Sequence, residues 1–273
     1  MKITCLVDNN VIDDRLWGEH GLSVLLESQG TRVLYDAGSS GDVLLHNLKA
    51  LGIDPGSIDA VVLSHGHDDH AGGLAMLSPL LRDVPLYAHP EVFSARFGGR
   101  ERRPIGLDRS AIGPRLQVRL AEGSTPVAPG IRTSGEVTER PHPEGRGATH
   151  AALMAGAYVP DPYRDDLSLF ATAAAGTVVV CGCAHAGLLN VLDLAKEAAT
   201  PIAAVVGGTH LRSANGEQLR AAGDYLEALP GADLYLGHCT GFAASGYLLR
   251  RFPLRTRAFG AGSVLEFADE ALV

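Results

Sequence analysis

Cysteine is scarce: Cys5, Cys181, Cys183 and Cys239 are the four in a chain of 273 residues. They do not make a disulfide framework for a chain of this size, although the length is enough to bury a substantial core. Long apolar runs are missing too. The opening stretch "MKITCLVDNNV" has one lysine, then a short apolar segment broken by Asp8, Asn9 and Asn10, which is not the pattern of a secretory signal. No stretch approaches the ~20 apolar residues of a spanning helix. The expectation is a cytoplasmic protein with no membrane partner. Positive charge is in deficit, with 23 Lys and Arg against 31 Asp and Glu and a formal net charge of -8. That balance favours solubility and argues against nucleic acid as a partner. There is no linker, compositional break or short repeat, so residues 1–273 read as a single domain built from two halves.

What is present is an ordinary globular composition, 46% hydrophobic and 20% charged. "ITCLV", "LSVLLES", "TRVLYDAG", "AVVLSHGH" and "PLYAHP" read as strands closed by turn formers. "SGDVLLHNLKALGI" carries a helical stripe, and "GLAMLSPLLRD" is expected to be a helix. In the second half "LQVRLAEG", "GIRTSGEV", "LSLFAT", "GTVVVCGC", "IAAVVGGTH", "ADLYLGH" and "GSVLEF" read as strands. Helices are expected at "GLLNVLDLAKEAA", "EQLRAAGDYLEAL" and "GFAASGYLLRRF". A meander followed by alternating strands and helices implies an α/β fold, with sheets packed face to face and helices outside. Residues 91–115 are rich in Arg, Gly and Pro and hold no period, so they read as a loop insert. "RPHPEGRGATH" has the same character.

The histidines are placed where strands stop. "VVLSHGH" ends at His65 and His67, "VVVCGCAH" at His185, "AVVGGTH" at His210 and "DLYLGH" at His238, with His70 just beyond the first pair. Six imidazoles delivered to one edge suggest metal binding. His65 and His67 alternate by two and point the same way on an extended segment; Asp69 and His70 follow after a turn. Four ligands this close suit two ions roughly 3.5–4 Å apart better than one, with His185 and His238 as remote donors. A structural zinc site would be closed and richer in cysteine. His46, His89, His142 and His150 read as loop residues held by local hydrogen bonds.

"SHGHDDHAGG" resembles the HxHxDH signature of the metallo-β-lactamase superfamily, and "VLYDAG" resembles the strand and turn that precede it there. "LVDNN", "EHGLS", "SGEV", "DDLSLF", "CGCAHAGLLN", "VVGGTHL" and "GHCTG" resemble the landmarks of one subgroup, typified by an archaeal dihydropterin ribofuranosyl-aminobenzene-phosphate synthase. The resemblance implies a four-layer αββα sandwich. It implies that His65 and His67 hold a first divalent metal, that Asp69, His70 and His238 hold a second, and that His185 completes the first. Cys183 is either a bridging ligand or a buried core thiol. His210 is placed at the mouth of the site, as a substrate contact, a proton donor or a structural residue. Asp36 is expected to hold a ligand's ring or the "SHGH" turn, and Glu19, His20 and Asn190 to line the pocket. Zinc suits this ligand set, as do iron and manganese.

The chemistry implied is hydrolysis of an ester, lactone, amide or phosphoester, because two such cations make hydroxide available near neutral pH. A pterin-related synthase and a non-catalytic metal-containing ligand sensor are the alternatives. The expected partner is a small-molecule substrate, anionic or phosphorylated. Arg96, Arg100, Arg102 and Arg103 offer forked donors for such an anion, or else belong to a solvated loop.

Overall fold

The computed structural model describes residues 1–197, 200–229 and 231–269. Two seven-stranded sheets organise the chain. The first runs, edge to edge, Val264–Glu266, Lys2–Val7, Ser23–Ser28, Thr31–Tyr35, Ala60–Val62, Val84–Ala88 and Leu116–Leu120. The second runs Thr256–Ala258, Asp233–Leu236, Ile202–Gly207, Gly176–Cys181, Leu169–Ala173, Ile131–Thr133 and Pro126–Ala128.

Each sheet begins as antiparallel hairpins and becomes parallel where helical crossovers enter. Thr31–Tyr35 is antiparallel to Ser23–Ser28 but parallel to Ala60–Val62. Gly176–Cys181 is antiparallel to Leu169–Ala173 but parallel to Ile202–Gly207. Only the parallel joins need a long connection, which is why helices cluster there.

Alternation along the strands divides the burial into layers. Val178 and Val180 join Val33, Tyr35, Val62 and Phe259 between the two sheets. Val179 and Cys181 face the other way, against Leu188, Val191 and Leu192 of the helix Leu188–Lys196 and against Leu226 and Leu248. On the far side, Leu25, Leu34 and Val61 pack on Leu44 and Leu48 of the helix Gly41–Ala50. The order helix, sheet, sheet, helix is the four-layer αββα sandwich, and the chain is of the α/β class.

Three sequence expectations need adjusting. The helix expected over "GLAMLSPLLRD" is only the turn Leu74–Leu77, followed by a 3₁₀ turn at Ser78–Leu80 and preceded by a separate turn at Asp68–Ala71. Pro79 cannot donate to a continuing helix. The helix over "GLLNVLDLAKEAA" ends at Lys196, and Ala198 and Ala199 lie outside the described residues.

The third adjustment concerns residues 91–115, which are ordered. Arg96–Gly98 and Arg103–Pro104 join Ala151–Met154 and Ala157–Pro160 in a four-stranded sheet. This segment also binds the histidine loop directly: Asp68 N–H donates to Ile105 O (2.8 Å) and Leu107 N–H to Gly66 O (2.6 Å). None of the helices among the described residues is long and apolar enough to cross a membrane.

Candidate metal centre

Strands of one direction end on one rim, and their following turns carry the polar side chains. Lys2–Val7 leads into Asp8 and Asn9, Thr31–Tyr35 into Asp36, and Ala60–Val62 into Ser64 to His70. From the facing sheet, Gly176–Cys181 leads into Cys183 and His185, Ile202–Gly207 into His210, and Asp233–Leu236 into His238. The turns are tight. Asp36, Ala184, His210 and His238 all have positive φ, at 61°, 55°, 49° and 46°, a region that non-glycine residues occupy at a cost and that clusters at functional sites. Gly66, between the first two histidines, has no room for a side chain: a Cβ there would lie 2.1 Å from Val92 O.

The ring nitrogens reveal what the cluster is built to hold. Asp36 Oδ2 lies 2.7 Å from His70 Nδ1 and accepts the Ser64 hydroxyl at 2.7 Å, while its Oδ1 accepts Ser64 N–H at 2.7 Å. With its hydrogen given to Asp36, Ser64 Oγ accepts from His65 Nδ1 at 2.8 Å. His185 Nδ1 donates to Gly145 O (2.7 Å) and His238 Nδ1 to Asn9 Oδ1 (3.0 Å). His67 Nε2 faces the Asp161 carboxylate at 3.7 Å. The outward nitrogens of four rings are thus engaged, while His67 Nε2 is buried without a hydrogen-bond partner, and the other nitrogen of each ring is left for the centre of the cluster.

Those inward nitrogens face one another. His65 Nε2 is 3.0 Å from His67 Nδ1, His70 Nε2 is 3.1 Å from His238 Nε2, and His185 Nε2 is buried with no partner. Each pair is close enough to share one proton or one cation. A pair of ligands each ~2.0–2.1 Å from one metal sits at about this spacing. The donor set thus fits a metal on the geometry of the nitrogens alone.

Two groups can be distinguished. The ligating atoms of His65, His67 and His185 lie within 4.8 Å of one another, as do those of His20, Asp69 and His238. Asp69 Oδ2 is 3.6 Å from His238 Nε2 and 3.8 Å from His70 Nε2. Cys183 Sγ sits between the groups, 3.3 Å from His70 Nε2 and within the same span of His65. Burial pushes its thiol well above the ordinary value, so it is protonated unless a cation adjoins it.

The electrostatics favour three neutral imidazoles, a charged carboxylate and one imidazole, His70, whose proton a bound cation would displace. Burial lowers His65, His185 and His238 well below the usual imidazole range. Burial alone would raise Asp69, but the surrounding imidazoles, His70 first, hold it down to about 2. His70 goes the other way: burial opposes its charge, yet Asp69 and Asp36 raise it to about 9.

Asp36 is therefore a hub for two rings. Asp36→Asn keeps a side chain that tolerates its left-handed backbone, yet turns one of its acceptors into a donor. Metal affinity is expected to fall about 10- to 100-fold, measured by titration against a competing chelator. Wild-type affinity in that variant would refute the orienting role.

Other expected site residues lie elsewhere. Asn190 is buried away from the cleft, its amide bonded to His142 N, His142 O and Ala186 O. It staples the loop that carries His185. Glu19 caps the turn before Gly41–Ala50, accepting from the N–H groups of Ser39 and Ser40. His20 does reach the cleft, with Nε2 3.3 Å from Asp69. Arg96 is 2% exposed and held by Asp161 (2.9 Å) and Asp165 (2.7 Å), so it has no guanidinium face to offer a substrate. Arg102 stacks on Tyr158. Arg100 and Arg103 line a groove that adjoins the cleft at Ile105 and His150.

The cleft over the cluster holds about 330 Å³ and is lined by His67, Asp69, Cys183, His185, His210 and His238 among others. His210 lies at its wall, with Nδ1 buried and unpartnered; burial lowers its pKa to about 4. Arg212 and His150 also line it, and neither stood out in the sequence. Asp8, which accepts the His238 N–H at 2.7 Å, had a visible signal: three polar residues, "DNN", directly after an apolar strand.

Comparison with known proteins agrees. The family model described as the metallo-beta-lactamase superfamily matches residues 16–238. The 7,8-dihydropterin-6-methyl-4-(beta-D-ribofuranosyl)-aminobenzene-5'-phosphate synthase of Methanocaldococcus jannaschii is 29% identical over 269 residues, covering 92% of this chain and 91% of the relative. The crystal structure of Tm1679, described as a metal-dependent hydrolase of the beta-lactamase superfamily, superposes with a TM-score of 0.88 at 28% identity, over 98% of this chain and 100% of that one. Zinc-bound PqqB from Methylobacterium extorquens shares the fold, with a TM-score of 0.61 at 15% identity over 98% of this chain and all of that one. A match across most of the length, on a rim of this construction, makes the chain a member of the metallo-β-lactamase superfamily.

Proposed function

We propose that this protein is a metal-dependent hydrolase that uses two divalent cations, zinc first among them, to cleave an ester, lactone, amide or phosphoester in a small molecule. His65, His67 and His185 would hold one ion, and Asp69, His70 and His238 the other, with the Cys183 thiol between them. The observation that carries this reading is the convergence of ring nitrogens, His65 Nε2 on His67 Nδ1 at 3.0 Å and His70 Nε2 on His238 Nε2 at 3.1 Å, beside a buried His185 Nε2 with no partner. When bound, such ions supply Lewis acidity and make water acidic enough to act as a nucleophile near neutral pH. The chain's own contribution is orientation. Asp36, Ser64, Asn9 and Gly145 fix four of the rings, the Asp161 carboxylate faces His67, and Asp69 keeps a negative charge facing the cleft. Arg212 on the cleft wall, with Arg100 and Arg103 in the adjoining groove, suits an anionic or phosphorylated substrate.

The test is chelation and reconstitution. Metal-free protein should be inactive toward p-nitrophenyl acetate, a simple lactone and bis(p-nitrophenyl) phosphate. Zinc, manganese or iron should restore turnover of at least one, with about two ions per chain by elemental analysis. Loading should also raise the melting temperature, since the ions bind the folded state. Activity that survives complete metal removal refutes the reading.

The synthase is the second reading. It is favoured by the full-length similarity to the archaeal enzyme. Product formation from a dihydropterin and an aminobenzene ribose-phosphate, with no turnover of the hydrolytic panel, would select it.

A further inference from the structure

His150 belongs to a loop of irregular sequence, and its imidazole is held from one side only. Its Nδ1 is 2.8 Å from the Tyr163 hydroxyl, and that hydroxyl accepts Gly147 N–H at 3.0 Å. Among the described residues the hydroxyl has no other partner, so its own hydrogen goes to His150 Nδ1. Nε2 therefore bears the ring hydrogen, and it bears one equally if the ring is protonated. Among the described residues no group accepts from it, and it is not among the buried, unpartnered atoms. The ring lines the cleft beside the first ligand group, 4.9 Å from the His67 ring and 6.1 Å from that of His185.

The support is specific. Tyr163 is buried and has a left-handed backbone, φ 47°, and its ring stacks on His185 at 4.2 Å and 11°. One side chain thus sets both a proposed metal ligand and His150. Gly147 leaves space for the imidazole, because a Cβ there would lie 2.6 Å from its ring atoms. A hydrogen-bond donor held in place at a cleft wall, with no acceptor among the described residues, is what a substrate oxygen would complete.

We propose that His150 is a substrate-contacting residue, its Nε2–H aimed by Tyr163 at an oxygen of the substrate's carbonyl or phosphoryl group over the His65–His67–His185 group. Tyr163 is its positioning residue. The inference rests on the proposed metal site, and its tests separate from that reading.

The first measurement is the ring ¹⁵N shifts of His150 in labelled protein. The Nε2–H form is expected in the wild type and a mixture in Tyr163→Phe, which keeps the stack on His185. A wild-type ring protonated on Nδ1 alone overturns the proposal, whatever the metal content. The second is the affinity of zinc-loaded protein for inorganic phosphate as an oxyanion probe. His150→Leu should bind it about 10-fold or more weakly, with zinc content unchanged by elemental analysis. His150→Gln, which restores an N–H donor, should recover to within about threefold of wild type. Wild-type phosphate affinity in zinc-loaded His150→Leu overturns the contact. Loss of zinc from that variant makes His150 a ligand and overturns it too.

Discussion

Asp69→Ala is expected to retain one metal ion per chain instead of two and to lose about a thousandfold in turnover. Asp69 Oδ2 lies 3.3 Å from His20 Nε2, 3.6 Å from His238 Nε2 and 3.8 Å from His70 Nε2. It is the carboxylate that the second ligand group shares. Neighbouring imidazoles keep it ionised down to about pH 2, so at neutral pH its charge is constant. Without it, two neutral imidazoles and a thiol remain to bind a dication, and a hard oxygen donor is gone. The His65, His67 and His185 group has no part in that loss and should keep its ion. Elemental analysis after reconstitution and kcat on the substrate found by the panel are the two readouts. A variant with two ions and normal turnover would remove Asp69 from the site.

Why was this carboxylate visible in the sequence while other parts of the site were not? A metal centre demands particular residue types, and "HGHDDH" places them within six positions at a strand end. The strands were visible for a similar reason. Their aliphatic runs, such as "TVVVC", are buried on both faces, which only a layered fold provides.

The small sheet was hidden because its strands are two to four residues long and Arg96–Gly98 pairs with Ala151–Met154 far along the chain. No period can develop over so few residues. His150 was read as a loop histidine because its meaning depends on Tyr163, 13 residues away, and on Gly147 leaving it room. Asn190 misled in the opposite direction. It lies beside the His185 loop in sequence, but its amide is spent on the backbone of Ala186 in that loop and of His142 in another.

Arg96 was the largest misreading, and it yields the second large effect. Arg96→Met is expected to destabilise the fold by about 3–5 kcal/mol, the usual result of removing one partner of a buried ion pair. At roughly 2–4 °C per kcal/mol for a chain of this size class, the melting temperature should drop by about 10 °C. The guanidinium donates to Asp161 Oδ2, Asp165 Oδ1 and Glu91 O, and both aspartates are buried. Burial already raises the Asp165 pKa despite the arginine's pull. Removing the charge would drive Asp165 to bind a proton, and a protonated carboxyl holds Gly66 N–H, now at 2.8 Å from Oδ2, less firmly. Gly66 spaces the first two histidines, and Asp161 faces His67 Nε2, so the loss should extend to metal affinity. Arg96→Lys restores the charge but not the fork that spans two carboxylates, and should recover only part of the stability. An anion clamp predicts something else: normal stability and a Michaelis constant raised selectively for charged substrates. Thermal melts of the two variants, beside KM for a neutral and a phosphorylated substrate, decide between the buried brace and the clamp.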